Sequence, residues 1–438
     1  MKRLLTLLIV GCSQMVTASY IHQTTPLRLS SLVPSRDQQQ KDSVVSFFFE
    51  QLGKGNWEAA REAVDPAVKD KLTAALLGST WQQLELAYGK WVAFTNQQTI
   101  PADRMHVILA ANTFARGYIT FKVALSQQHK ITGFFIEEAR TNAPVLQSNE
   151  SADSITTKDG GTLHGTLTLP PGKTAVPIVL IIAGSGPTDR NGNNVMLPLP
   201  NSASYQQLAA GLAASGIASL RYDKRRVGES QGFSIPIDQT TLNEFTTDAI
   251  AWVDHLLQDR RFIDVTVMGH SEGCLIGSKV AGERKLRRLV LLCPPGEPMS
   301  KLLAMQLKPR LSDSLNQQLD NILATLSQGN NPTTIPPDLG MLFAPSLYNF
   351  WKSTFKYVPC TLLASVKTPI LLVGGSADVQ VPPAQLDILH HCKPAAALLM
   401  VPGMTHTLKS NNNIGPDKNA PLPLAPELLP ALVAFIKK

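Results

Sequence analysis

The sequence predicts two folded units, a doubly wound α/β sheet with a helical cap insert and, before it, a smaller α+β domain. Three observations predict this. From residue 154 onward, short apolar strands alternate with helical stretches, the pattern of a parallel sheet covered on both faces. Residues 37–140 instead read as helices followed by alternating strands, an antiparallel meander. The chain has 438 residues, too many for one ordinary domain, and a Thr/Asn/Ser-rich stretch at 141–153 separates the two patterns.

The N-terminus begins with Lys2 and Arg3, followed by an apolar run from Leu4 to Val10 that is too short to span a bilayer. Val16-Thr17-Ala18 offers a small-residue cleavage site, so residues 1–18 are expected to be a signal peptide and residues 19–36 a polar linker. The expected location is therefore an exported bacterial protein, periplasmic or secreted. Ile9-Val10-Gly11-Cys12 also resembles a lipobox, and a lipid anchor through Cys12 is the one route to a membrane. No later segment has the apolar length of a transmembrane helix.

Hydrophobic residues make up 44% of the chain and charged residues 17%, a composition that supports a large core and excludes a disordered chain. Net charge is +7. The basic residues are scattered, apart from Lys224-Arg225-Arg226 and Arg284-Lys285-x-Arg287-Arg288. Neither cluster is interleaved with aromatics, so both are read as solvated faces and no nucleic-acid partner is expected. Self-association stays open. Besides Cys12 there are Cys274, Cys293, Cys360 and Cys392, with no C-x-x-C pair. One or two bridges or buried free thiols are both compatible with that spacing. His390-His391-Cys392 is not read as a metal site, because contiguous residues point different ways on a helix.

In the first unit, Val44, Val45, Phe47, Phe48, Phe49 and Leu52 form a broad apolar stripe on a helix that ends at Gly53-Lys54-Gly55-Asn56. A second helix is expected from Trp57 over WEAAREAV, with further helical stretches to about Tyr88. Strands follow at KWVAF, MHVILAA, GYITFKVAL and KITGFFI. In the third, Ile119, Phe121, Val123 and Leu125 alternate with polar or small residues, the period of a half-buried strand.

The second unit, residues 154–438, opens with a hairpin around Asp159-Gly160-Gly161. Strands are expected at PIVLIIAG, ASLRYD, VTVMGH, LVLLC, PILLVGG and ALLMVPG. Helices are expected at SYQQLAAGLAASG, EFTTDAIAWVDHLLQDR, EGCLIGSKVAGE and APELLPALVAFIKK. Residues 296–366, rich in Leu, Met, Gln and Pro, interrupt the alternation and are expected to form a helical cap over the strand ends.

Within this frame VTVMGHSEGCLIG, Val265 to Gly277, places Ser271 between a strand and a helix. Gly-x-Ser-x-Gly is a short motif, but at such a junction it marks a nucleophile elbow, whose sharp turn leaves no room for side chains at 269 and 273. The free N–H groups of the helix start make the N–H of Glu272 an oxyanion donor. A serine nucleophile needs a base, and the base an orienting acid. Asp378, in LLVGGSADVQVP, and His406, in VPGMTHTLK, follow Ser271 in the order Ser, Asp, His, each beyond the C-terminal end of a predicted strand. Alone, an Asp after Gly-Gly reads as a turn residue and a lone His as structural. Three such residues in order on three consecutive strand ends read as a triad. The loop AGSGPTDRNGN, between strand and helix, should supply the second oxyanion donor, the N–H of Ser185, with Gly186 close behind. Asp189 and Arg190 in the same loop either pair and hold it or line the substrate pocket, and the structural role is the expected one.

At GSGPTDRNGN, RYDKRRVGES, GHSEG, ADVQVP and MTHTLK, in that order, the chain resembles bacterial α/β-hydrolase serine carboxylesterases of the EstD type. The resemblance covers about residues 154–438. It implies an α/β-hydrolase fold with Ser271 as nucleophile, Asp378 as acid and His406 as base. It also implies hydrolysis of short-acyl esters with neither metal nor cofactor. Residues 37–140 resemble the cone-shaped α+β domains of the nuclear-transport-factor-like superfamily. Three positions depart from the pattern. Arg226 stands where the family has glycine, which should alter a loop backbone. Cys274 stands where a second glycine often follows the elbow, and Val358 where an acid is expected before Pro359.

The expected function is that of an exported serine carboxylesterase acting on a small-molecule ester. The same triad would serve a serine peptidase or aminopeptidase on short peptides. A binding protein with a vestigial site is a third reading, which the intact Ser, Asp and His oppose.

Overall fold

The computed structural model describes residues 36–100, 106–142, 145–172, 175–194, 202–340, 342–410 and 422–438. The expected signal peptide, Cys12 and residues 19–35 of the expected linker lie outside them. The chain forms two compact units that divide between residues 142 and 143.

The first unit begins with α1 (Arg36–Gly53), α2 (Trp57–Arg61) and α3 (Ala74–Tyr88). It continues with β1 (Trp91–Ile100), β2 (His106–Phe114), β3 (Gly117–Leu125) and β4 (Ile131–Thr141), an antiparallel sheet in sequence order. The α1 stripe is narrower than expected. Val45, Phe48, Phe49 and Leu52, spaced as one helical face, are buried, whereas Phe47 falls off that face and is 43% exposed. Phe49 stacks on Phe121 of β3 at 4.9 Å, and Phe48 meets Phe134 of β4 edge-on at 5.2 Å. The second helix is shorter than WEAAREAV. Pro66 opens a 3-10 turn and holds Asp65 in extended geometry, so the α-helix closes at Arg61.

The second unit opens with the antiparallel hairpin β5 (Glu150–Thr156) and β6 (Thr162–Thr168), turned by Gly160 at φ 84°. Then come β7 (Val176–Ile182), α4 (Ser204–Ala214), β8 (Ala218–Tyr222), α5 (Leu242–Gln258), β9 (Phe262–His270), α6 (Glu272–Glu283) and β10 (Arg288–Leu292). The insert contributes α7 (Met299–Leu307), α8 (Asp313–Ser327), α9 (Tyr348–Phe355) and α10 (Pro359–Ser365). The unit closes with β11 (Ile370–Gly375), α11 (Ala384–Cys392), β12 (Ala397–Val401) and α12 (Leu428–Lys437).

The eight strands lie in the order β12-β11-β10-β9-β7-β8-β6-β5, parallel except for the β5–β6 edge, with the chain crossing back between β7 and β8. This is the doubly wound α/β-hydrolase sheet. Its central strands are apolar on both faces. Ile178, Leu180 and Ile182 of β7 join a core with α5, α6 and the insert, while Val179 and Ile181 join another with α4 and α12. The insert is fastened at the C-terminal ends of the strands: Gln306 of α7 donates to the Gln380 carbonyl, and Gln385 of α11 accepts from Gly296 and Glu297. Cys360 of α10 and Cys392 of α11 form a disulfide, so Cys392 is no metal ligand, while Cys274 and Cys293 are buried free thiols.

Candidate active site

Ser271 sits between β9 and α6 at φ 54° and ψ −120°, a backbone conformation that non-glycine residues rarely adopt. Close packing forces the turn. A Cβ on Gly269 would lie 2.2 Å from the Gly273 carbonyl oxygen, and one on Gly273 would lie 2.4 Å from the Ile182 oxygen of β7. The two framing glycines are therefore steric requirements of this strand–helix crossing. The Ser271 N–H donates to Leu292 O of β10 at 2.9 Å, which fixes the elbow to the neighbouring strand. Its hydroxyl is half-buried and forms no hydrogen bond among the described residues.

Asp378 and His406 meet directly. His406 Nδ1 lies 2.8 Å from Asp378 Oδ2, and both side chains are buried. Asp378 follows the tip of β11, where its Oδ1 accepts from the N–H groups of Gln380 and Val381 at 2.9 and 2.8 Å. Burial pushes its carboxyl upward, but the His406 hydrogen bond and charge, with the Val381 N–H, outweigh it and hold it below its ordinary value. Asp387 is exposed on α11 and Asp189 is occupied within its own loop, so neither orients His406.

Ser185 lies in the loop after β7, and its N–H donates to no group among the described residues. The preceding Gly184 abuts the nucleophile: a Cβ there would lie 3.2 Å from the Ser271 Cβ. Glu272 is the first residue of α6, so its N–H is free of the helix ladder. Gly186 is exposed at φ 67°. Asp189 and Arg190 do not pair with each other. Asp189 accepts from the N–H groups of Asn191 and Asn193, while Arg190 is buried against Asp223 and reaches Glu229.

Sequence reasoning missed the support of this site. His270 Nε2 donates to the His406 carbonyl at 2.8 Å, which leaves Nδ1 to accept from Tyr205 Oη at 2.8 Å; Tyr205 Oη in turn accepts from Gly184 N–H at 3.2 Å. One hydrogen-bonded chain thus joins the Ser185 loop to the His406 loop beneath the elbow. Burial and the neighbouring His406 push His270 down to about 3, so it is neutral. His270, Cys293 and His406 bring candidate ligand atoms within 4.8 Å of one another. Both His270 nitrogens and His406 Nδ1 are already committed to protein partners, which argues against a metal there. Only the aromatic Tyr205 in a helix start and the His before the elbow serine signalled this chain in the sequence.

The basic cluster at 224–226 corrects the expectation of a solvated face. Lys224 and Arg225 are buried, Arg225 against Asp248 and Asp159 and Lys224 beside Glu272, because opposite charges on neighbouring elements meet them. Arg226, the third residue of the cluster, is half-buried. It adopts φ 63°, the left-handed conformation a glycine would take, and its guanidinium donates to Thr240 and the Ile235 carbonyl. Val358 is the N-cap of α10 and makes no side-chain cap bond, the service an acid would perform there. Cys274 is buried, its thiol facing the Gly269 and Leu292 carbonyls.

Residues 200–335, which include Ser271, match a family described as "Serine aminopeptidase, S33". Residues 45–134 match a family described as "Protein of unknown function (DUF3887)". The chain is 28% identical over 345 residues to Esterase EstD of Thermotoga maritima, covering 78% of this chain and 80% of that protein. Among solved structures, Est1E from Butyrivibrio proteoclasticus aligns at 19% identity and a TM-score of 0.42, covering 65% of this chain and 96% of that one. A Pyrococcus furiosus esterase aligns at 16% identity and a TM-score of 0.43, covering 60% and 86%.

Proposed function

We propose that this chain, a serine hydrolase of α/β-hydrolase fold preceded by a small α+β domain, hydrolyses short-acyl carboxylic esters through Ser271, His406 and Asp378. The observation that carries the reading is the buried Asp378–His406 hydrogen bond, tied through the His406 carbonyl to His270, the residue before an elbow serine whose hydroxyl has no hydrogen bond among the described residues. The similarity to Esterase EstD supports ester over amide chemistry.

In this mechanism Ser271 Oγ attacks the ester carbonyl carbon, and His406 Nε2 takes its proton. The carbonyl oxygen becomes an oxyanion between the N–H groups of Glu272 and Ser185. Collapse expels the alcohol, which receives the proton from His406 and leaves an acyl group on Ser271. Water, deprotonated by His406, then attacks the acyl carbon, releases the acid and restores Ser271. Asp378 holds the imidazole in orientation and stabilises its charged form.

The family description over residues 200–335 favours a second reading, cleavage of short peptides by the same residues. Nitrophenyl esters of graded chain length, assayed beside aminoacyl nitroanilides, separate the two. Turnover of short esters alone supports the esterase, and anilide turnover at a comparable rate overturns it. A serine-reactive phosphonate should label Ser271. We also propose export, supported by the Lys2-Arg3 and apolar N-terminal pattern and by the Cys360–Cys392 disulfide. The mass of the mature N-terminus tests it and separates cleavage after Ala18 from lipidation at Cys12.

A further inference from the structure

We propose that Lys224 is a positioning residue of the oxyanion hole. Its buried ammonium fixes the Gly184–Ser185 peptide, and Glu272 is its counter-ion. The proposal rests on the reading of Ser271 as nucleophile and deepens it.

Lys224 Nζ donates to the Gly184 carbonyl oxygen. In a trans peptide the C=O and N–H point to opposite sides. Fixing the Gly184 C=O toward Lys224 therefore fixes the Ser185 N–H away from it, on the side where no group among the described residues accepts it. This peptide borders the nucleophile, since a Cβ on Gly184 would lie 3.2 Å from the Ser271 Cβ, closer than ordinary contact. The peptide before it is pinned as well, by Gly184 N–H donating to Tyr205 Oη. Both peptide groups that flank Gly184 are thus held, one by a phenol and one by an ammonium.

The ammonium has little else to bond. Lys224 is 3% exposed, with the Phe245 ring centroid 5.6 Å away and Glu272 Oε1 at 3.6 Å. Glu272, 2% exposed, leaves its second carboxylate oxygen without a hydrogen-bond partner among the described residues. The residue whose backbone N–H is the other oxyanion donor thus carries the counter-charge for the lysine that orients the first. One ion pair sets the spacing of both donors. A purely structural pair of this kind is replaceable by apolar side chains of similar volume with little loss. That difference makes the proposal testable.

The test is the double variant Lys224→Met, Glu272→Leu, which removes both charges and strands neither, and leaves the Glu272-position N–H in place. Circular dichroism establishes folding. We expect kcat for a short ester to fall about 10²-fold, the loss typical of one oxyanion donor, with KM within about threefold. A folded double variant with kcat within about threefold of the unaltered chain overturns the proposal. If the unaltered chain hydrolyses no ester, it is the functional reading that fails. The crystal structure of the double variant then decides: a rotated Gly184–Ser185 peptide supports the role of Lys224, and an unmoved one overturns it. Should the double variant not fold, Glu272→Gln carries the test, with a fall in kcat of about tenfold expected at unchanged KM and an unchanged kcat overturning it.

Discussion

His270 donates from Nε2 to the backbone oxygen of His406 at 2.8 Å, and the two imidazoles lie 4.8 Å apart. One ring thus anchors the loop that carries the other. The bond fixes the His270 tautomer, and burial with the neighbouring His406 holds that ring neutral, pushed down to about 3. In the unfolded chain a histidine titrates near 6.5. The folded value is depressed, so its contribution to stability is fully present above about 6.5 and is lost as pH falls toward 3. Unfolding free energy should drop by up to about 1.4 kcal/mol per pH unit below 6.5 from this group. Urea melts at pH 7, 6 and 5 measure the slope, and His270→Gln should flatten it. An unchanged slope in that variant would refute the assignment.

Replacing Ser271 separates chemistry from strain. Ser271→Ala should lower turnover by on the order of 10⁵ to 10⁶ while the protein stays folded. Ser271→Gly should be equally inactive but more stable than Ser271→Ala by roughly 1–2 kcal/mol, because glycine accepts φ 54° without a Cβ penalty. Equal melting temperatures for the two would mean that the elbow is unstrained.

Asp378→Asn should impair turnover severely, and His406→Ala more completely, since the carboxylate orients and stabilises while the imidazole moves the proton. Steady-state kinetics on a short ester rank them. Asp189→Asn should retain turnover within about tenfold, as its carboxylate serves its own loop. An essential Asp189 beside a dispensable Asp378 would displace the third vertex of the site.

Cys360→Ser with Cys392→Ser opens a loop of 32 residues' separation. The chain-entropy relation gives a loss of about 3–4 kcal/mol on denaturant unfolding. Phosphonate labelling of Ser271 should persist, because the disulfide touches none of the proposed catalytic groups.

A chain starting at residue 145 should fold and label with the phosphonate. Every residue of the candidate site lies in the second unit, which has its own cores. Loss of labelling in a folded truncated chain would mean that the first unit completes the site.

The strands and helices were legible wherever one period dominated. The alternation in Gly117–Leu125 gave β3 residue for residue, and the apolar runs gave the parallel strands. The elbow, Asp378 and His406 were legible because strand ends leave a sequence signature. Lys224 was not. A lysine beside two arginines looks solvated until Glu272, 48 positions away, is brought to 3.6 Å. The left-handed backbone of Arg226 was not legible either, because nothing in an arginine's side chain signals φ 63°. Phe47 shows the limit of reading apolar runs, where one residue too many was assigned to the stripe.

The helical insert leaves and rejoins the sheet beside a single helix. Its first residues bond to Gln385 and its last helix is joined covalently to Cys392, both on α11. Between those ends Ser353 of α9 accepts from the Leu242 N–H of α5, and Leu319, Trp351 and Phe355 pack into the same core as β7. A segment pinned at both ends and again in its middle keeps its frame. Changes of length are confined to the stretches between the pins, and β11 still presents Asp378 in the same place.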